Sequence, residues 1–322
     1  VTTMMQTETT VRNTLMNLDR YVSGDGVAEL AGLCAGHPAV VVAAGPSLAR
    51  NMALLSRPGV RERVVIVAVQ TALKPLLAAG IRPHFVTALD HHEISRRFYD
   101  GLTERDVEGV TLIAEAKSNP AILDAFPGMI RCPGDSTLNL LLGEEVEGGG
   151  RHGTVPNGAT VAHLAYYFAR HLGCDPVALI GQDLGFTDGQ YYAAGAAIHE
   201  VWGAELNEFR TLEMMEWERI VRSRSILRRA ADHLGRPIYT DEQMATYLAQ
   251  FERDFKSDEA HGLVTIDATE GGVRKAHTVA LSLEEFLDRH ASADRPELPQ
   301  IPDARRGRDE SAIADAESKI RA

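Results

Sequence analysis

Five short apolar segments, each rich in Val, Ile, Leu or Ala, constrain the fold of this chain more than any other feature. They lie at residues 39–43, 64–69, 85–89, 110–114 and 177–180. Their apolar residues are continuous rather than alternating, which is typical of strands that are covered on both faces. Helical patterns lie between them, at residues 48–55, 71–79, 120–126 and 159–172. This alternation predicts an α/β fold with a doubly wound, Rossmann-like parallel sheet.

The pattern changes after Trp202, where a long, charged, amphipathic stretch over residues 205–234 predicts a helix and a second helix follows over 241–255. Three prolines and a mixed-charge run at the end of the sequence are too polar to fold alone. We therefore predict five regions: an N-terminal helical cap (1–36), a Rossmann-like nucleotide-binding domain (37–200), a helical insertion or lid (201–260), a return to the core (261–290) and a flexible tail (291–322).

Composition excludes several classes of protein. The net charge of -12 argues against a general nucleic-acid binder, which needs a clustered basic surface. No apolar run reaches the roughly 18 to 20 residues of a membrane span, and the polar N-terminus lacks a signal-peptide core. We therefore expect a soluble protein. The three widely spaced cysteines form no CxxC pair and suggest no disulfide framework, so we expect a reducing cytoplasm. Because the sequence begins with Val, we expect it to be trimmed or part of a longer product.

The turn Gly45-Pro46-Ser47-Leu48 follows the first predicted strand and opens a helix. Free amides at a helix N-terminus bind anions, so the turn is a candidate phosphate site. It matches neither the dinucleotide G-x-G-x-x-G pattern nor a P-loop. The alternative is a tight turn in which Ser47 is only the N-cap.

Polar residues also follow other predicted strands. Asp90 ends the third strand, and the carboxyl ends of parallel strands share one edge of a sheet, so it is a candidate for a ribose, a metal or a reacting hydroxyl. Gln182 and Asp183 end a later strand and are candidates for the same crevice. The alternatives are helix capping for Asp90 and a polar turn for the Gln182-Asp183 pair.

Further candidates lie in predicted loops and at a helix start. Asn157 and Gly158 precede a strongly patterned helix, where Asn157 is either a ligand contact or the N-cap. His199 is a candidate acid or base, although a lone histidine often has no chemical role. Glu270 and Gly271 join a carboxylate to a flexible backbone that can approach a ligand closely, or they form a plain loop.

Several of these motifs in order resemble the motility accessory factor (Maf) flagellin glycosyltransferase family and its relative, the MptE-like domain. The residues that carry the resemblance are Gly45-Pro46-Ser47-Leu48, the stretch from Leu73 through Pro83 to Asp90, Gly181-Gln182-Asp183-Leu184 and Asp267-Ala268-Thr269-Glu270-Gly271-Gly272. The resemblance spans roughly residues 12–290. It implies a sialyltransferase-like fold that transfers a nonulosonic (sialic-acid-like) sugar from a CMP-activated donor to a hydroxyl acceptor, such as flagellin Ser or Thr.

The resemblance also implies residue roles. Gly45, Pro46 and Ser47 would line the nucleotide pocket, Asn157 and Gly158 would contact the phosphate or the base, and Asp90, Asp183 and Glu270 would surround the reacting centre. From the residues themselves we add Leu48, Gln182 and Gly271 as candidate nucleotide contacts and His199 as a candidate catalytic residue. The chain departs from the family pattern at His84, where many members have Asp, and at Ala276-His277-Thr278, where many have a Gly-Thr pair. The first departure bears on the donor site.

Three functions stay open. The first is the glycosyltransferase, with the CMP-sugar as its substrate. The second is an MptE-like pterin diphosphokinase that uses ATP and magnesium, with Asp90 and Asp183 as candidate metal ligands. The third is a non-catalytic nucleotide-binding or assembly protein, because a fold does not fix a function. No other cofactor is predicted.

Overall fold

A computed structural model describes residues 7–193, 199, 202–305 and 307–321. The described residues form ten strands in chain order: β1 Ala39–Val42, β2 Val65–Val69, β3 Phe85–Ala88, β4 Thr111–Ala114, β5 Met129–Arg131, β6 Val177–Ile180, β7 Leu227–Ala231, β8 Pro237–Asp241, β9 Thr265–Asp267 and β10 Val279–Ala280. The chain divides into two compact units, one of Val1–Leu33, His84–Gly173 and Pro299–Ala322, and the other of Cys34–Pro83 and Cys174–Leu298. We call them the first unit and the second unit.

The second unit contains five parallel strands in the order β10-β9-β6-β1-β2. Every residue of β1 and of β2 is buried, as expected for Val-rich strands covered on both faces. The α-helices described in this unit are Leu48–Asn51, Val60–Arg63, Gln70–Ala78, Leu212–Arg222, Glu242–Ala260 and Leu283–His290.

The first unit contains three parallel strands in the order β3-β4-β5. Its core includes an edge-to-face pair of Phe85 and Phe168, whose ring centroids are 4.8 Å apart. Its helices are Thr7–Met16, Leu18–Ser23, Pro120–Ala125, Ser136–Leu141, Val161–His171 and Glu310–Arg321. The last of these lies in the segment predicted as a flexible tail, and it buries Ile313 and Ala316.

Parallel strands with helices between them confirm the predicted α/β fold class, and the predicted nucleotide-binding range 37–200 contributes strands to both units. Side-chain caps start several helices: Asn119 accepts from Ala121 N, and Asp241 accepts from Met244 N. Among the described helices, none is long and apolar enough to cross a bilayer.

The insertion at 201–260 contains the two predicted helical segments, but the first is shorter than predicted. The helix expected over 205–234 is confined to Leu212–Arg222, and the antiparallel hairpin β7–β8 follows it. The cause is the turn of the hairpin, where Asp232 Oδ1 accepts hydrogen bonds from the backbone N–H groups of Leu234 at 2.9 Å and Arg236 at 2.7 Å. Gly235 adopts a φ of 80°, which favours glycine.

Candidate functional site

Three loops of the second unit follow the carboxyl ends of β1, β6 and β9. They are residues 43–47, 181–187 and 268–272, and they contain most of the polar residues that the sequence predicts for a site. Because β1, β6 and β9 are parallel neighbours, the three loops emerge at the same edge of the strands. This edge is the candidate functional site.

The Asp183 carboxylate ties these loops together. It accepts hydrogen bonds from the Ser47 hydroxyl at 2.7 Å, from the Ser47 backbone N–H at 3.2 Å and from the Thr187 hydroxyl at 2.5 Å. The Gly272 N–H donates in turn to Thr187 Oγ1, and the Val273 N–H donates to the Asp183 carbonyl. Burial raises the pKa of Asp183, while the Thr187 and Ser47 hydrogen bonds lower it.

Close packing around Asp183 explains why glycine occurs in all three loops. A β-carbon at Gly45 would lie 2.5 Å from the Gly181 carbonyl oxygen, and one at Gly271 would lie 2.7 Å from Ser47 Cβ. A β-carbon at Gly272 would overlap the Asp183 backbone, and the φ of Gly272 is 70°. The glycines of the family motifs are therefore required for the loops to approach one another.

The turn itself is closed to solvent. Pro46, Ser47 and Leu48 are buried, and Ser47 is fully buried at 0% exposure. Ser47 occupies the N-cap position of the next helix, as the alternative predicts, but its hydroxyl donates to Asp183 and makes no capping hydrogen bond. The following helix, Leu48–Asn51, is a single short turn. Ser47 and Asp183 therefore shape the site rather than line its open surface.

A cavity of about 400 Å³ adjoins this cluster within the second unit. Its walls include Gly271 and Gly272 from the β9 loop, together with charged and aromatic side chains of Arg50, Asp188, Trp217, His233, Arg236 and Tyr239. Arg50 donates to the Glu270 carbonyl at 2.8 Å and pairs with Asp188 at 2.5 Å. Two guanidinium groups and the aromatic rings of Phe186, Trp217 and Tyr239 thus border one cavity.

Glu270 does not line this cavity. Its side chain instead stabilises the β9 loop through hydrogen bonds. Glu270 Oε1 accepts from Asn51 Nδ2 and from the Leu283 N–H, each at 3.0 Å. Its φ of 54° lies in the left-handed region, which is uncommon for a residue with a side chain. The Glu270 carbonyl oxygen, rather than the carboxylate, is the atom that contacts Arg50.

Gln182, the other predicted residue after β6, is 6% exposed. Its Oε1 has no hydrogen-bond partner among the described residues. A second buried pair lies on the β9 side, where Lys275 Nζ lies 3.1 Å from Asp267 Oδ2, and the Lys275 charge lowers the pKa of Asp183. The sequence did not indicate Lys275, because this lysine lies in a polar loop that has no distinctive pattern.

His199 has a partner that the sequence did not suggest. His199 Nε2 lies 2.8 Å from Glu216 Oε1, and Glu216 Oε2 accepts a hydrogen bond from the Tyr191 backbone N–H at 2.8 Å. Glu216 is 1% exposed and lies on the buried face of helix Leu212–Arg222 with Met215 and Ile220. A glutamate at an apolar position of an amphipathic helix could have indicated a buried carboxylate, but it does not identify His199 as the partner.

The remaining predicted residues belong to the first unit. Asp90 Oδ2 accepts a hydrogen bond from the Ser95 hydroxyl at 2.8 Å. Asn157 lines a small cavity with Glu115, Lys117 and Asp135. The alternative that Asn157 caps the next helix is wrong, because the helix begins at Val161 and Thr160 is its N-cap. A β-carbon at Gly158 would lie 2.9 Å from the Leu164 backbone nitrogen.

The sequence assigns metal ligands only in the diphosphokinase alternative, where Asp90 and Asp183 are the candidates. Across the described part of the chain, no three His, Cys, Asp or Glu side chains are grouped so that they could hold a metal ion. Asp183 is also poorly suited to bind a cation directly, because three protein donors already occupy its oxygens.

Comparison with known proteins gives two findings. A family model described as "6-hydroxymethylpterin diphosphokinase MptE-like" matches residues 12–189, which is more than half of the chain. A solved structure of a Maf glycosyltransferase from Magnetospirillum magneticum AMB-1 is similar to 96% of this chain, with a TM-score of 0.57 and 20% sequence identity. The chain spans 41% of the length of that protein, and the likeness concerns the fold. No curated protein matches the chain.

Proposed function

The chain belongs to the MptE-like family, and from that premise we propose that it is a glycosyltransferase domain. In this proposal the donor is a CMP-activated nonulosonic sugar and the acceptor is a hydroxyl group, for which flagellin Ser or Thr is the candidate. The likeness in fold to a Maf glycosyltransferase supports the choice of reaction class. Cytoplasmic location belongs to the same proposal and is supported by three cysteines that are all free thiols.

The observation that carries the proposal is the cavity beside the Asp183 cluster. Arg50 and Arg236 border it with planar guanidinium groups, which bind phosphate through paired hydrogen bonds. Trp217 and Tyr239 border it with aromatic rings that suit a nucleobase or a sugar face. Gly271 and Gly272 border it with backbone of the β9 loop. A nucleotide-activated sugar needs all three kinds of contact.

The reaction needs a proton acceptor and a stabilised leaving group. We assign the first role to His199, which takes the proton of the acceptor hydroxyl while the oxygen bonds to the anomeric carbon. The bond from that carbon to the phosphate oxygen breaks, and its electron pair leaves with CMP. Arg50 and Arg236 offset the charge that develops on the departing phosphate.

The predicted binding residues take indirect roles in this proposal where the structure buries them. Ser47 and Asp183 hold the first and second loops together, and Glu270 positions Arg50 through its carbonyl oxygen. Asp90, Asn157 and Gly158 stay proposed as contacts to the phosphate, the base or the reacting centre, as the family resemblance implies.

The second candidate is the pterin diphosphokinase that the description of the family model names. It would transfer diphosphate from ATP with magnesium, held by Asp90 and Asp183. The geometry of Asp183 weighs against this choice, because the carboxylate is 2% exposed and accepts three hydrogen bonds from Ser47 and Thr187. A non-catalytic nucleotide-binding protein is the third candidate.

The test of the proposal is donor turnover. The purified protein is incubated with a CMP-activated nonulosonic acid, with and without a hydroxyl acceptor, and the release of CMP is followed by chromatography. We expect CMP release that His199→Gln reduces by about 100-fold, the typical contribution of a general base. Release of AMP from ATP in the presence of a hydroxymethyl pterin and magnesium, without CMP release from the sugar donor, would favour the diphosphokinase instead.

A further inference from the structure

Glu216 is a buried carboxylate in the middle of a surface helix. It is 1% exposed, whereas its helix neighbours Glu213 and Glu218 are exposed. A buried carboxylate is costly unless its oxygens are hydrogen-bonded. Both oxygens of Glu216 are, one by His199 Nε2 and the other by the Tyr191 backbone N–H. Glu216 is therefore held by two fixed partners.

These contacts determine which nitrogen of His199 carries the proton. The Tyr191 N–H is always a donor, and an ionised carboxylate only accepts, so Glu216 Oε1 accepts from Nε2–H. Nδ1 is then left with its lone pair. His199 Nδ1 is buried and has no hydrogen-bond partner among the residues that the structure describes. A buried polar atom without a partner calls for an explanation, and a catalytic role is one that fits a histidine.

The surroundings of His199 are aromatic on one side. The Trp202 ring centroid lies 5.5 Å from the His199 ring, and the Arg219 guanidinium lies 6.0 Å from the Trp202 ring and 4.4 Å from the Tyr191 ring. Trp202, Met215 and Arg219 also border a cavity of about 290 Å³ in the second unit. A small hydroxyl-bearing group thus has space next to Trp202, whose ring is tilted by 40° to the His199 ring.

We propose that Glu216 is a positioning residue that fixes His199 in the Nε2-protonated tautomer and so presents Nδ1 as the proton acceptor. This inference rests on the proposed transfer reaction. In the step, the acceptor O–H proton moves to Nδ1, the acceptor oxygen bonds to the anomeric carbon, and the electron pair of the broken bond leaves on the CMP phosphate. The imidazolium that forms then faces the negative charge of Glu216 across the 2.8 Å contact.

A glutamine at position 216 separates this role from simple packing, because it has nearly the same shape. Its amide offers one acceptor oxygen and one donor nitrogen, so it satisfies either the Tyr191 N–H or His199 Nε2–H, but not both. The variant Glu216→Gln therefore keeps the volume of the core and removes both the charge and one acceptor. The matched control is Glu213→Gln, on the exposed face of the same helix.

The experiment reads the tautomer and the turnover separately. Protein with ¹⁵N-labelled histidine gives one signal for each ring nitrogen, and His199→Gln identifies which signals belong to position 199. In the wild-type protein and in Glu213→Gln, we expect His199 to be the Nε2–H tautomer alone. In Glu216→Gln we expect a mixture of tautomers, and we expect kcat for CMP release to fall by about 10- to 1000-fold with KM nearly unchanged.

Two results would overturn the inference. One is an unchanged Nε2–H tautomer in Glu216→Gln. The other is the Nδ1–H tautomer in the wild-type protein. The spectrum needs no substrate, so it decides the role of Glu216 even if the wild-type protein releases no CMP, which would count against the proposed function alone. Glu216→Asp keeps the charge and serves as the second variant if Glu216→Gln does not fold. In Glu216→Asp we expect a spectrum that resembles the wild-type spectrum only in part.

Discussion

The Asp183 carboxylate accepts a hydrogen bond from the Ser47 hydroxyl at 2.7 Å, and neither side chain is open to solvent. The pair joins the loop after β1 to the loop after β6, which are neighbouring parallel strands. The sequence predicts both residues as ligand contacts, whereas in the structure they contact one another. Their main effect is on the shape and the stability of the site.

Removal of the acceptor at position 183 tests this role. We expect Asp183→Asn to lower the free energy of unfolding by about 1 to 3 kcal/mol, because the donors from Ser47 and Thr187 lose part of their acceptor. Ser47→Ala removes one hydroxyl and costs about 1 kcal/mol. Urea unfolding measures both. The control is Asp188→Asn, an exposed carboxylate whose ion pair with Arg50 contributes less. Equal unfolding midpoints for Asp183→Asn and Asp188→Asn would contradict the role of Asp183.

Gly272 offers a sharper steric test. Gly272→Ala adds a β-carbon that overlaps the Asp183 backbone at a φ of 70°, so we expect a loss of about 2 to 4 kcal/mol. Gly262 provides the matched control, because its φ is 81° and nothing lies within 4 Å of the added carbon. Gly262→Ala therefore costs only the backbone strain of about 1 to 2 kcal/mol. If thermal unfolding shows the same loss of stability in the two variants, the close approach of the loops does not contribute to stability.

His152 gives the first unit a pH dependence. Burial, followed by the charge of Arg151, lowers the pKa of His152 to about 4. A histidine whose pKa is depressed on folding stabilises the protein above its ordinary pKa of about 6.5, and this stabilisation is lost as the pH falls toward 4. We expect a loss of about 3 kcal/mol between those limits. Unfolding measured from pH 7 to pH 4 should show a smaller slope in His152→Gln, and parallel slopes would refute the assignment.

Arg50 links the fold to the proposed ligand. Its side chain is 40% exposed and borders the cavity, so we expect Arg50→Ala to weaken CMP binding by about 10- to 100-fold, as the loss of a charge-assisted hydrogen bond does. Arg57→Ala is the control, because Arg57 is 37% exposed and pairs with Glu284 and Asp288 outside the cavity lining. If calorimetry shows that the affinity for CMP changes equally in Arg50→Ala and Arg57→Ala, the phosphate does not bind at Arg50.

The sequence predicted the fold class because its strands are short, continuous segments rich in Val, such as β1 and β2, and shortness and β-branched residues favour strands over buried helices. It also selected loops that the structure brings together, since Ser47, Asp183 and Gly271 lie in one cluster. Position along a strand predicts proximity of this kind. It does not predict the direction of a side chain, and for that reason the burial of Ser47 and Asp183 was not foreseen.

Two other features depend on contacts distant in sequence. The hairpin β7–β8 was missed because Leu227–Ala231 carries two arginines and resembles the polar face of a helix. The partnership of His199 with Glu216 joins residues 17 positions apart through side chains alone. A residue pattern cannot reveal such a pair until the helix that carries Glu216 is placed.

Binding of nucleotides to the wild-type protein tests the central claim most directly. CMP and ATP are titrated separately by isothermal calorimetry, each with and without magnesium. The glycosyltransferase proposal predicts that CMP binds without metal and that magnesium changes its affinity little. Binding of ATP only with magnesium, or no heat with either nucleotide, would contradict it.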